Sequence, residues 1–72
     1  MELANASDIA EIVKKERKAQ RVTQVQLAQL SNVGTRFVRD IEDGKASLQF
    51  DKLLRVLETL GIAVSLTTPP EE

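Results

Sequence analysis

Apolar residues recur at helical intervals through most of this chain and change to a two-residue alternation near its end. Ile9, Ile12 and Val13 share one side of a segment that Ser7 precedes as a capping hydroxyl, with acids in its opening turn, which predicts a first helix over about residues 8–20. Thr23 and Gln26 have the spacing of a capping box, in which the hydroxyl and the glutamine amide each satisfy an orphan amide of the helix start. A second helix is therefore predicted over about 24–31, with Leu27, Ala28 and Leu30 inward and Ser31-Asn32-Val33-Gly34 as a turn. Phe37, Val38 and Ile41 then lie opposite Arg36, Arg39, Asp40 and Asp43, marking a third helix over about 35–43 that Gly44 stops. The spacing of Phe50, Leu53, Leu54, Leu57 and Leu60 predicts a fourth over about 49–60, closed by Gly61. Ile62, Val64 and Leu66 alternate with smaller or polar residues, the rhythm of a strand over about 62–67, and Pro69-Pro70 ends it. Residues 1–6 and 68–72 read as frayed ends of a single domain.

Composition narrows what such a chain can do. At 72 residues with neither cysteine nor histidine, it has no disulfide, no zinc finger, no thiol nucleophile and no imidazole for acid–base work. No enzyme, cofactor or metal is expected, and self-association is the remaining staple for so small a core. No uncharged apolar run approaches the roughly 18 residues of a membrane span, and no cleavable leader pattern is present, so the expected setting is the cytoplasm, without membrane contact.

The net charge of −1 conceals a division along the chain. Lys14 to Lys45 holds eight basic residues against four acids, a net of +4, and the other forty residues hold −5. A basic region of this kind suits a polyanion, although an ordinary solvated face would look the same. In its second half the first helix also gains from cations at its negative end. Two short helices joined by a tight turn, the second with an arginine-bearing outer face, describe a helix-turn-helix able to enter a DNA major groove.

The residues here resemble a known family. Thr23-Gln24-Val25-Gln26-Leu27-Ala28-Gln29-Leu30, Val33-Gly34 and Phe37-Val38-Arg39-Asp40-Ile41-Glu42-Asp43-Gly44-Lys45 resemble the Xre/Cro type of helix-turn-helix found in phage repressors and bacterial regulators. With Leu53 to Gly61 and the strand that follows, residues 9 to 67 look most like the HipB-type antitoxins. The resemblance implies an all-α, lambda repressor-like domain of four to five helices with one C-terminal β-strand pairing across a dimer. It also implies a transcriptional repressor of double-stranded DNA, the antitoxin of an operon whose promoter it controls, able to bind a HipA-like serine/threonine kinase toxin. A phage or free-standing repressor, and an interaction adaptor that has lost DNA binding, are the alternatives.

Residue by residue, the resemblance puts Thr35, Arg36, Arg39 and Asp40 at base-reading positions. Arginine can bond guanine O6 and N7 together, and threonine can touch a thymine methyl. A carboxylate accepts from cytosine N4 but repels phosphate, so Asp40 either reads a base or orients Arg36 four residues earlier. Gln24 matches a glutamine that binds phosphate or supports the first base-reading residue, and Lys14, Lys18, Arg21 and Lys45 are further candidates for phosphate. Glu42 and Arg17 match a structural ion pair. Arg21 stands where the family commonly has glycine, and Gly34 where it has serine or threonine. The strand needs a partner for its backbone, and pairing of Ile62, Val64 and Leu66 with a second copy is the economical solution, setting two recognition helices about 34 Å apart over a pseudo-palindrome.

Overall fold

The structure is a computed structural model that describes residues 5–64. Its elements are α1 (Ala6–Ala19), α2 (Gln24–Ser31), α3 (Thr35–Glu42) and α4 (Phe50–Thr59). α1 starts two residues earlier than the sequence suggests, because Asn5 and not Ser7 is its cap: the Asn5 side chain accepts from the Asp8 amide. Residues 5 and 6 thus belong to the helix start rather than to a frayed end. α2 has the expected capping box, with Gln26 N–H donating to Thr23 Oγ1 at 3.0 Å and Thr23 N–H to Gln26 Oε1 at 2.8 Å. Gly34 begins α3 without a side-chain cap.

All four helices end the same way. Within two residues of each helix end the chain turns into the left-handed region, at Arg21, Asn32, Gly44 and Gly61, and the next amide bonds back over five residues: Val22 to Arg17, Val33 to Ala28, Lys45 to Asp40 and Ile62 to Leu57. Gly44 and Gly61 reach that region at φ 80 and 75, whereas Arg21 and Asn32 reach it at φ 57 with a Cβ in place. The apolar residues Val22, Val33 and Ile62 that follow three of these turns pack on the core. Four short helices are thereby folded back on one another within sixty residues.

Val13, Leu27, Val38, Ile41 and Val56 are the largest fully buried side chains, joined in the core by Ile12, Ala28, Leu53, Leu57 and Leu60. α3 packs against both α1 and α2, and α4 packs against α2. Two expected core residues lie elsewhere. Leu30 is exposed because the buried arc of α2 runs through Leu27, Ala28 and Ser31, and it is Ser31 that completes the inward face. Its hydroxyl is satisfied by Thr59 Oγ1 at 2.9 Å. Phe50 is also exposed, while Leu48 in the preceding loop packs on the core.

No strand is present among the described residues. Residues 62–64 carry no ladder bonds, and the remainder of the expected strand, with Leu66, lies outside them. Ile62 closes α4 and packs on the core of its own chain, and Val64 is exposed. No helix is long and apolar enough to cross a membrane.

Candidate nucleic-acid interface

α3 is an amphipathic helix of eight residues, and its inner side is fastened hydrophobically and electrostatically. Val38 and Ile41 are buried in the core, as is Glu42 in its last turn. Glu42 Oε2 accepts from Arg17 Nε at 2.6 Å, Oε1 accepts from Arg17 Nη2 at 3.0 Å, and the two side chains are only 2% and 12% exposed. This two-bond fork on a carboxylate fixes direction as well as distance. Arg17 also donates through Nη1 to the carbonyl of Val22, and Gln24 Nε2 donates to Glu42 Oε1 at 3.2 Å. One buried carboxylate therefore ties α1, the turn after it, α2 and α3 together. Burial pushes the Glu42 carboxyl up, but the hydrogen bonds from Arg17 and Gln24 and the charges of Arg17 and Lys14 outweigh it, leaving its pKa below the ordinary value. The same hydrogen bond raises Arg17.

With that side anchored, the opposite side of α3 faces outward. Arg36 has a side chain 86% exposed, and Arg39 is exposed and makes no ion pair among the described residues. Thr35, the first residue of α3, is half-buried. Asp40 is half-buried between two cations, with Arg36 Nε 3.8 Å from Oδ1 and Lys45 Nζ 3.7 Å from Oδ2. The expected pairing of Asp40 with Arg36 is thus present, and Lys45 is drawn to the same carboxylate.

The expected phosphate contacts are divided among three places. Lys18, Arg21 and Gln24 line one open concavity with Thr23 and Val25 at the start of α2. The amides of Gln24 and Val25 point out of the helix there, since no earlier carbonyl of α2 can reach them. Lys14 and Lys18 line a second groove, between α1 and the end of α3 at Glu42, Asp43 and Gly44. Lys45 stands apart, at Asp40. Gln24 is half-buried and already committed to Glu42 through one amide hydrogen, which leaves its second hydrogen and its carbonyl oxygen for other partners. Sequence reasoning missed the Gln24–Glu42 bond and the Lys45–Asp40 pair. The second had a signal, because a glycine in the left-handed region at 44 brings residue 45 back over residue 40. Among the described residues no cluster of acidic side chains could hold a metal.

Comparison with known proteins gives these features a setting. The helix-turn-helix family HTH_3 matches residues 13–66. The chain is 42% identical over 65 residues to an uncharacterized HTH-type transcriptional regulator, y4mF, of Sinorhizobium fredii (strain NBRC 101917 / NGR234), covering 90% of this chain and 86% of the relative. Among solved structures it is similar to a chain of a HipA-HipB-O2-O3 complex, with a TM-score of 0.84 at 16% identity, over 97% of this chain and 99% of that one. A HipB-O4 20mer complex is similar at a TM-score of 0.83, with the same identity and coverage. At that identity the likeness is one of fold.

Proposed function

The chain belongs to the Xre-type helix-turn-helix family of transcriptional regulators, and from that premise we propose that it is a sequence-specific repressor that binds a pseudo-palindromic operator as a homodimer. The observation that carries this reading is the two-sidedness of α3: Val38, Ile41 and Glu42 hold it by one side, Arg36 and Arg39 are exposed on the other with Asp40 beside Arg36, and Thr35 stands half-buried at the start of the helix. In the major groove Arg36 and Arg39 bond guanine edges, and Thr35 meets a thymine methyl. Lys18, Arg21 and the start of α2 hold the backbone beside it, where outward amides and fixed cations favour phosphate. Lys14 adds its charge from the second groove. The two-fold is formed by the segment of Ile62, Val64 and Leu66, which pairs with the same segment of a second copy, Ile62 anchoring it on the core of its own chain and the exposed Val64 facing the partner.

Binding of a fragment from upstream of the gene, followed over a salt series against an unrelated fragment, tests the reading. Affinity falling linearly with log salt, with preference for the native fragment, is expected. Equal and salt-independent binding of both would leave an interaction adaptor.

Likeness of fold to chains of HipB complexes supports the further proposal that the protein is an antitoxin controlling its own operon, with a HipA-like serine/threonine kinase as partner. Co-expression with a kinase-like product of the adjacent gene tests it, and failure of the two to co-purify would remove the antitoxin role while leaving the repressor.

A further inference from the structure

Asp40 is an odd residue to present to DNA. An acid on the outer face of a recognition helix repels phosphate, and Asp40 lies in the last turn of α3 rather than at its acid-favouring start. Its surroundings show what compensates it. Each carboxylate oxygen has a separate cation, Arg36 from the preceding turn and Lys45 from the loop after α3. Lys45 is fastened to the same residue a second time, by its own amide donating to the Asp40 carbonyl at 3.1 Å. That bond belongs to the left-handed turn at Gly44, so the chain path itself returns the lysine to the acid.

Resting on the proposed operator binding, we infer that Asp40 is a positioning residue for base reading: it aims Arg36 at one base pair and withholds Lys45 from phosphate. The nearest approach to Arg36 is at Nε, 3.8 Å from Oδ1, a charge contact longer than a hydrogen bond, and the side chain stays 86% exposed, so its guanidinium donors remain available to a guanine edge. A side chain 86% exposed would otherwise sample many rotamers, most of them within reach of some phosphate. The charge contact with Asp40 favours, before DNA arrives, the rotamers that keep Nε near Oδ1. Lys45, an unselective cation, is spent on the same acid. The carboxylate converts two sources of general attraction into one selective contact.

The test begins with the parent chain selecting a preferred duplex from a randomised library. Binding of that duplex and of a scrambled one is then followed by fluorescence anisotropy over a salt series. Asp40→Asn is expected to bind the scrambled duplex more tightly and with a steeper salt slope, by about 0.9 for each lysine released to phosphate. It should lose about tenfold in the ratio of selected to scrambled affinity. Selection repeated with Asp40→Asn and with Arg36→Ala should relax the same base pair. Adding Lys45→Gln to Asp40→Asn should remove about 0.9 of that increase, the lysine's share. Asp40→Ser, which also removes the charge, is measured beside it, with melting of both variants confirming the fold. Relaxation at a base pair other than the one lost in Arg36→Ala would overturn the inference, since Asp40 would then be reading a base itself. An unchanged ratio and slope would overturn it as well, reducing the cluster to solvated ion pairs. A parent that enriches no sequence fails at the earlier step, and removes the operator reading along with this one.

Discussion

Glu42 shows how much a single side chain can organise here. Its carboxylate is nearly inaccessible and shared between Arg17 and Gln24, so removing it leaves a buried guanidinium unpaired and an amide without its acceptor. Glu42→Ala is expected to cost about 3 kcal/mol, the usual effect of breaking a buried pair by one partner. For a chain of this size that lowers the melting temperature by more than about 12 °C. The pH dependence follows from its lowered pKa. A carboxyl with a folded-state pKa below its unfolded value stabilises fully above the unfolded value, and loses that contribution as pH falls through the folded one. Melting curves of the parent and Glu42→Gln should therefore converge under acid conditions and separate towards neutrality, and a constant gap would contradict the shift. On the outer face the expectations are the reverse. Arg36→Ala and Arg39→Ala should leave melting unchanged and weaken operator binding by about 1–3 kcal/mol with relaxed preference at particular base pairs, whereas Lys18→Ala should weaken all sequences alike. Operator binding as tight as the parent's in both arginine variants would remove α3 as the reader.

Among the elements, the four helix ends are the most informative. Each closes with the same left-handed turn, but two use glycine, one asparagine and one arginine. Asparagine tolerates that region through its short polar side chain, while arginine has no such relief. Arg21→Gly is expected to stabilise the protein by about 1 kcal/mol. If the strain is kept for phosphate, the same variant should bind every DNA less tightly and with a shallower salt slope, because Arg21 shares the concavity at the start of α2 with Lys18 and Gln24. A gain in stability without loss of binding would show that the arginine has no part in the interface.

Taken whole, the molecule has α3 held between α1 and α2, with α4 behind α2 and its end turned back by Gly61 and Ile62. This places the outer face of α3 on one side and residues 62–64 at the end of α4. In the proposed dimer, Val64→Pro removes an amide from the strand ladder while leaving the helices intact. Sedimentation should show weaker association, and operator affinity should fall with it, because a monomer engages one half-site and forfeits the effective concentration of the second. A dimer as tight as the parent's would place the meeting of the chains elsewhere.

What was legible beforehand is what local chemistry controls. The capping box of α2, the stops at Gly44 and Gly61, and the inward sides of α1 and α3 depend on neighbours within a turn, and each was found where the spacing put it. The ion pair of Arg17 with Glu42 was legible through resemblance to a family and through nothing in the spacing itself, since its partners lie 25 residues apart. Three features were decided only in three dimensions. Leu30 and Phe50 carry apolar side chains that periodicity sends inward, but burial requires another element on that side; Ser31 and Leu48 took the places that packing offered. Asn5 displaced Ser7 as the cap because either side chain could serve, and the helix runs two residues further back, to where the Asn5 side chain accepts from the Asp8 amide. The carboxylate of Glu42 acquired Gln24 because helix packing brought a donor 18 residues away within reach, whereas Lys45 reaches Asp40 through the local turn that Gly44 already signals. A hydrophobic pattern specifies which face of a helix turns inward, whereas the partners of a polar side chain depend on the crossing of one helix with the next.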